Sequence, residues 1–213
     1  DFFRGTTAGA DATDPTINGT AGNMSASEYL SFDGGDYLTY DAANETWMNN
    51  LHKDNAKWTL AAWVWYAAAG SAGFLGTNNN SASSIGSSTG MSSGGKLFTS
   101  VTNGSGTNAM QNISATSIPT GSWAFLASSV DEAVGAGGHI LGINSTFETF
   151  ASTFTSPSAS NAAFTMQIGA RGNGAVPVPN TSRIACVAMW EGRALTQAEL
   201  LSLFNATRGR FGV

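Results

Sequence analysis

Short apolar runs alternate with polar residues along most of the chain, and clusters of Gly, Asn and Ser separate one run from the next. This spacing is typical of antiparallel strands joined by turns, as in a two-sheet β-sandwich. Residues 78–95 and 152–163 are predicted to be loops, because their Asn, Ser and Gly residues favour turns. The pattern predicts strands at Lys57–Ala67, Gly73–Gly76, Lys96–Thr102, Met110–Ile113, Trp123–Val130, His139–Ile143, Phe164–Gly169 and Ser182–Trp190.

The C-terminal segment contains the clearest helix signal. Thr196 can accept a hydrogen bond from a first-turn amide, and Glu199 lies three residues later, so the pair matches a capping box. Apolar side chains follow at once, and the pattern predicts a helix over Gln197–Thr207. A short helix is also predicted near Thr46–Leu51, where apolar residues are spaced as i, i+1 and i+4.

Four segments resemble, in order, motifs of the laminin-G-like, concanavalin A-like jelly roll. They are FDGGDYL at 32–38, WTLAAWV at 58–64, GSWAFLA at 121–127 and EGRALTQAEL at 191–200. The set is similar to domains of this kind that are embedded in bacteriophage decoration, fibre or tail proteins. The resemblance implies an all-β fold, an antiparallel two-sheet β-sandwich (concanavalin A-like jelly roll) with one short C-terminal helix. Because this fold hosts lectins, adhesion modules, hydrolases and virion parts, it does not imply a function by itself.

The chain is predicted to form one domain with a short lead-in. Its 213 residues suit a single sandwich with a sizeable core. Residues 1–27 contain many turn formers and little periodicity, so they are predicted to be an N-terminal arm or lead-in. The laminin-G-like jelly-roll domain is predicted to occupy residues 28–213.

The charge distribution excludes some partners. Only 11% of the residues are charged, against about 25% in ordinary soluble domains. The formal net charge is −5 and no Lys/Arg cluster is present, which argues against nucleic acid as a partner. No apolar run approaches the roughly 20 residues that span a bilayer, so we predict no membrane insertion. The lone Cys186 excludes an intramolecular disulfide and is predicted to be a small buried group on its strand.

Candidate catalytic residues are few. His52 and His139 are the only histidines, and they lie in unrelated segments. The E-x-D-x-x-E pattern of the jelly-roll glucanases and the nucleotide-binding glycine loops are both missing from the sequence. We therefore predict that the protein is not an enzyme and uses no cofactor. Asp33 and Asp36 flank two glycines and could hold Ca²⁺, but capping of their own turn amides is the favoured alternative, so no metal site is assigned.

Aromatic residues on one strand face give the strongest sign of binding. Side chains alternate along a strand, so Trp63 and Trp65 share the face opposite to Trp58, Leu60 and Val64. Such aromatic side chains dominate binding hot spots, and Asn amides can bond to hydroxyls. The alternative is that the N-terminal arm or a loop covers this face, because large exposed aromatic patches are uncommon in monomers. The predicted glycan or partner surface consists of Trp63, Trp65, Trp190, Asn78, Asn79 and Asn80.

Three functions compete at this point. The first is a non-enzymatic structural or adhesion protein of a virus particle, such as a phage decoration, fibre or tail-associated module, on the extracellular virion surface. Its partners would be other virion proteins or further copies of itself, with cell-surface polysaccharide as an additional ligand. The second function is a secreted bacterial carbohydrate-binding module. The third is a glucanase-type hydrolase, for which the paired carboxylates are missing.

Overall fold

Two antiparallel sheets face each other in the computed structural model, which describes residues 2–6, 9–20, 22–40 and 46–213. The strands are β1 (Phe2–Arg4), β2 (Thr16–Asn18), β3 (Tyr29–Ser31), β4 (Leu38–Tyr40), β5 (Lys57–Trp65), β6 (Ala72–Gly76), β7 (Ile85–Met91), β8 (Lys96–Asn103), β9 (Asn108–Ser117), β10 (Trp123–Asp131), β11 (His139–Ile143), β12 (Thr146–Phe150), β13 (Gln167–Ile168) and β14 (Arg183–Glu191). The helix α1 spans Gln197–Phe211, and short 3-10 helices lie at Trp47–Asn50, Glu132–Val134 and Gly172–Gly174.

In the described part of the chain, each sheet has seven strands. Sheet A has the order β1-β4-β13-β6-β7-β8-β9, and sheet B has the order β12-β11-β10-β5-β14-β3-β2. Every pair of neighbouring strands is antiparallel. The predicted fold, an all-β two-sheet sandwich with a C-terminal helix, is therefore confirmed.

The main core lies between the sheets, and the alternation along β5 explains how it forms. Trp58, Leu60, Ala62 and Val64 all point into this core. The Trp58 indole N–H donates to the carbonyl of Leu51, 2.9 Å away, so the ring is buried without losing its hydrogen bond. Inward-facing residues of sheet A, among them Phe74, Leu97 and Val101, complete the contact.

A second core lies on the outer face of sheet B, beneath α1. Leu200, Phe204 and Phe211 of the helix pack there against Trp63 and Phe125 of the sheet. The helix begins with the predicted capping box, in which Thr196 and Glu199 exchange hydrogen bonds. It runs four residues beyond the predicted end, to Phe211, and stops at Gly212, whose φ of 70° is left-handed. The short helix predicted near Thr46–Leu51 is the 3-10 helix at Trp47–Asn50.

Some strand predictions were wrong. Residues 78–95 were expected to be a loop, but they contain the buried strand β7. Serine and threonine tolerate burial there because their hydroxyls pair with the next strand, Ser88 with Ser100 at 3.0 Å and Thr89 with Thr99 at 3.0 Å. The short strand β12 was also missed, and the run expected at 164–169 is a strand only at Gln167–Ile168.

The first 27 residues add an edge strand to each sheet. β1 pairs with β4 in sheet A, and β2 pairs with β3 in sheet B. Both segments therefore pair with the sandwich, while the division of the chain into an arm or lead-in at 1–27 and a domain at 28–213 stays a prediction. No helix in the described residues is long and apolar enough to cross a membrane.

Cys186 lies on a strand as predicted, but the prediction that it is buried was wrong. Pairing between β5 and β14 shifts register between Ala185 and Ala188, so Cys186 lies in a β-bulge with a φ of 52°. The extra residue turns its side chain out of the regular alternation, and the thiol is exposed. Its Sγ lies 3.0 Å from Nη1 of Arg210.

Candidate functional site

The predicted tryptophan face is covered by α1, and no described residue of 1–27 belongs to this cluster. Trp63 is only 1% exposed. Its ring stacks on Phe211 with centroids 4.4 Å apart, and its Nε1 donates to Oγ1 of Thr207 at 2.9 Å. The proposal that Trp63 offers its ring to a partner is therefore wrong in this arrangement, because the helix already occupies that surface.

Trp65 and Trp190 lie at the margin of the same cluster and are half-buried. The guanidinium carbon of Arg183 lies 4.5 Å from the Trp65 ring centroid and 4.9 Å from that of Tyr29. This stacking takes up one face of Trp65. Part of each of the two tryptophans is still accessible, and they stay predicted partner residues.

The predicted asparagines lie elsewhere, in the loop that follows β6 of sheet A. Asn78 is buried, and its Nδ2 donates to Oγ1 of Thr102 at 3.2 Å. Asn79 is half-buried, whereas Asn80 is exposed and accepts a hydrogen bond at Oδ1 from Nη1 of Arg171. Since the tryptophans belong to sheet B, the structure does not unite the two halves of the predicted surface.

Asn78 and Asn80, but not Asn79, border a polar cleft on the outer face of sheet A, with a volume of about 230 Å³. We call it the sheet A cleft. Apart from the methyl group of Ala82, its lining side chains are amides, hydroxyls and one guanidinium, and no described carboxylate is among them. The polar lining residues include Asn78, Asn80, Ser100, Thr102, Asn108, Gln111 and Arg171. Asn108 and Gln111 are exposed on β9, so they can be reached from solvent.

Arg171 lies flat across sheet A at one side of the cleft. Its guanidinium carbon is 4.7 Å from the ring centroid of Phe98, and its backbone N–H donates to Ala175 at 2.8 Å. Glycine lets it lie close to the sheet, since a Cβ on Gly73 would be 2.5 Å from the Arg171 Cγ. Burial lowers the pKa of the Arg171 guanidinium to about 10, so it still carries its charge at neutral pH.

Sequence reasoning missed most of the cleft. Ser100, Thr102, Asn108 and Gln111 are ordinary strand residues, and nothing local sets them apart. Arg171 follows a short strand in an irregular segment, and its contact Asn80 lies 91 residues earlier in the chain. The usable signal was the Asn-rich loop itself, because Asn amides are suited to bonding with hydroxyls.

One serine lies beside a histidine, yet the geometry does not make a nucleophile. Nε2 of His139 is 3.1 Å from Oγ of Ser128, and both residues are fully buried. The Asn112 amide nitrogen lies 2.8 Å from His139 Nδ1 and 2.8 Å from the Ala151 carbonyl oxygen. Since an amide N–H₂ only donates, Nδ1 must accept, and the ring proton sits on Nε2 and points at Ser128. His139 therefore donates to the hydroxyl that a general base would have to deprotonate.

Burial also lowers the pKa of His139 to about 3, which keeps the ring neutral. The Ser128 hydroxyl also forms a hydrogen bond with Oγ1 of Thr99, which lies 2.8 Å away on the opposite sheet. The group is thus a buried polar link between the two sheets. His52 is also fully buried, and its Nε2 lies 2.9 Å from the carbonyl oxygen of Ser160. Neither residue belongs to the link formed by His139, Ser128 and Thr99.

The turn that carries Asp33 and Asp36 satisfies its own amides. Asp36 Oδ2 accepts from the Asp33 N–H at 2.8 Å, and Asp33 Oδ1 accepts from the Gly35 N–H at 2.8 Å. These are the hydrogen bonds expected of the turn-capping alternative. Among the described residues, no group of three or more His, Cys, Asp or Glu side chains is placed to hold a metal ion.

Comparison with known proteins gives the same fold. The family profile described as the concanavalin A-like lectin/glucanases superfamily (Laminin_G_3) matches residues 32–201. A search of curated proteins finds no match.

Three solved structures illustrate the likeness. The binding domain of botulinum neurotoxin serotype D has a TM-score of 0.63 at 10% identity, over 97% of this chain and 46% of that chain. Botulinum neurotoxin type C depends on interaction with two ganglioside molecules to enter cells. Its structure has a TM-score of 0.61 at 12% identity, over 97% of this chain and 46% of that chain. A Trypanosoma rangeli sialidase mutant with trans-sialidase activity gives 0.60 at 12% identity, over all of this chain and 33% of that chain. The chain thus spans less than half the length of these three proteins.

Proposed function

Because the chain belongs to the concanavalin A-like lectin/glucanase superfamily, we propose that it is a non-enzymatic adhesion module that binds a glycan in the sheet A cleft. The observation that carries this proposal is the lining of the cleft, where amides, hydroxyls and one guanidinium converge on the outer face of the sheet. Such groups offer both donors and acceptors to sugar hydroxyls. The dependence of the structurally similar neurotoxin type C on gangliosides supports a glycan as the class of ligand.

The setting that we propose is the extracellular surface of a virus particle, as a bacteriophage decoration, fibre or tail-associated module. The support is compositional, because only 11% of the residues are charged and Gly, Ser, Thr, Ala and Asn replace them. A surface of this kind has a low desolvation cost when it closes against a neighbouring subunit. Other virion proteins or further copies of the chain would then be its protein partners.

The alternative is a secreted bacterial carbohydrate-binding module, and the state of assembly separates the two. A native mass spectrum of the purified chain should give an oligomer if it is a virion component. A monomer that binds a glycan would favour the secreted module instead.

The proposal includes the absence of catalysis. The Ser128 hydroxyl accepts from His139, and neither residue reaches solvent, so no activated nucleophile is available there. A panel of β-glucans should give no turnover. Turnover that is lost when one Asp or Glu is replaced would identify a hydrolase and overturn this part of the proposal.

A glycan array tests the binding function directly. We expect the chain to retain a defined subset of glycans, and Asn108→Ala and Gln111→Ala each to weaken that binding by about tenfold, the loss of one hydrogen bond to a ligand. Both side chains are exposed, so the melting temperature should change little. Asn205→Ala is the matched control, because it removes an exposed amide from α1, the helix that packs on sheet B and not on sheet A. Equal binding by all four proteins, or no binding to any glycan, would contradict the cleft as the site.

A further inference from the structure

Arg171 is a buried cation with no carboxylate partner among the residues that the structure describes. It is only 9% exposed. The ion pairs found among the described residues join Lys57 to Asp131, Arg193 to Glu199 and Arg210 to Glu28, and none includes Arg171. A charge that is removed from water without a counter-charge is costly, and buried charges in proteins are therefore normally paired.

The contacts that Arg171 does make neutralise its charge only in part. The Phe98 ring offers its negative face, and the Asn80 amide oxygen accepts one hydrogen bond from Nη1. Nε is buried and finds no hydrogen-bond partner in the described part of the chain. The guanidinium therefore presents an uncompensated positive charge to the sheet A cleft, whose other lining groups are neutral.

The size and charge of the cleft restrict the ligand. A volume of about 230 Å³ lies below the roughly 300–1,000 Å³ of pockets for drug-sized molecules, so a terminal sugar fits better than an enclosed chain. One guanidinium balances one negative charge, whereas phosphate groups are usually held by several basic residues. The neutral amides and hydroxyls around it match the hydroxyls of a sugar ring.

We propose that the sheet A cleft binds a carboxylate-bearing sugar, with the Arg171 guanidinium on the carboxylate and Asn108 and Gln111 on the ring hydroxyls. This inference rests on the proposed glycan-binding function and specifies its ligand. The bound carboxylate supplies the negative charge that the described residues do not place beside Arg171. Binding and the relief of a buried unpaired charge are then the same event.

The test uses an array of matched glycan pairs, in which each acidic sugar is accompanied by its methyl ester, together with sulfated glycans. The wild-type chain should prefer the free acid. Arg171→Met, which keeps an unbranched stem over the sheet and removes the charge, should lower the affinity for the acid by at least about tenfold and abolish the preference over the ester. Arg171→Lys should fall between the two, because it keeps the charge without the planar fork. Arg208→Met, the loss of an exposed arginine on α1, is the control and should bind as the wild type does.

A second measurement does not depend on how well the variants fold. The Nε–H signal of Arg171 in a ¹H–¹⁵N spectrum of the wild-type chain should shift on addition of sodium glucuronate and stay in place on addition of glucose. The Nε–H signal of Arg208 should not move with either sugar.

The outcomes distinguish this inference from the function on which it rests. Equal binding of acid and ester that still depends on Gln111 would overturn the acidic ligand and leave the glycan-binding function in place. Binding restricted to sulfated glycans would overturn the carboxylate assignment. Retention of no glycan at all would overturn both proposals.

Discussion

Trp63 and Phe211 stack with their ring centroids 4.4 Å apart and their planes inclined by 24°. One ring comes from the central strand β5 and the other from the last turn of α1, so this contact fastens the C-terminus of the chain to sheet B. It converts a strand face that would otherwise be an exposed aromatic patch into a second core. The cleft that we propose for binding lies on the other outer face of the sandwich, that of sheet A.

Replacement of Phe211 should therefore destabilise the protein. Phe211 is 7% exposed and contacts both Trp63 and Trp123. We expect Phe211→Ala to lower the free energy of unfolding by about 3 kcal/mol, at the low end for a buried Phe because the site lies at a chain end. Leu201→Ala, at a helix position that is 37% exposed, should cost less than about 1 kcal/mol. Urea unfolding of the three proteins measures this, and equal losses would mean that α1 does not rely on the stack.

Local patterns predicted the parts of the fold that depend on a single segment. The inner and outer faces of β5 followed from alternation, because the side-chain period of a strand is two residues regardless of its neighbours. Thr196 and Glu199 likewise carry the signal for the start of α1 within four residues. What covers the outer face of β5 could not be predicted from β5 itself, since the covering residue Phe211 is remote in sequence.

The strand β7 and the sheet A cleft were missed for a related reason. Ser88 and Thr89 are buried strand residues only because hydroxyls on β8 pair with them, and a single sequence does not show that pairing. Arg171 joins the cleft through Asn80 and Phe98, which come from two other segments. Asn78 and Asn80 were predicted as site residues and do border a cleft, whereas their grouping with Trp63 was wrong.

The buried His139 should make the protein less stable in mild acid. Burial lowers its folded-state pKa to about 3, whereas an unfolded histidine has a pKa near 6.5. Below about pH 6.5 the unfolded chain takes up a proton that the folded chain does not, so stability is present above that pH and is lost as the pH falls towards 3. Burial also lowers the pKa of His52, with the same sign. We expect a loss on the order of 1 to 2 kcal/mol for His139 between pH 6.5 and 5.

Urea unfolding at pH 7, 6 and 5 measures this dependence. This pH range lies above the usual pKa values of Asp and Glu, so few carboxyl groups change their charge within it. His139→Gln keeps a polar side chain beside Ser128 and should flatten the pH profile, whatever its stability at pH 7. A variant profile as steep as that of the wild type would mean that other groups cause the acid sensitivity.

Substitutions of Trp65 and Trp63 should affect different properties of the protein, assembly in the first case and stability in the second. Trp65 is half-buried, stays a predicted partner residue and lies on the sheet that does not carry the cleft, so Trp65→Ala should weaken subunit assembly by about 2 kcal/mol with a small change in melting temperature. Trp63→Ala should instead lower the free energy of unfolding by about 3 kcal/mol or more, because its ring is 1% exposed. Native mass spectrometry and thermal unfolding report the two effects. A large loss of stability in Trp65→Ala with assembly unchanged would show that Trp65 is a packing residue.

The charge of Arg171 can be neutralised from inside the protein by one substitution. Asn80 already accepts a hydrogen bond from the guanidinium, and its φ of 71° is a left-handed conformation that Asp tolerates. Asn80→Asp should therefore form an ion pair in place of a neutral hydrogen bond and raise the free energy of unfolding by about 1 kcal/mol.

The same carboxylate would take the position of the proposed ligand's counter-charge. Asn80→Asp should thus lower the affinity for an acidic sugar by at least about tenfold and leave any binding of its neutral ester less affected. Asn205→Asp adds an equal charge to α1, far from the cleft in the fold, and should change neither the affinity nor the preference for the acid. Unfolding curves and titration calorimetry test both effects on one protein. A variant Asn80→Asp that is less stable than the wild type and binds the acid as tightly would contradict the proposal. The added carboxylate would then neither stabilise the Arg171 charge nor compete with the acidic sugar for it.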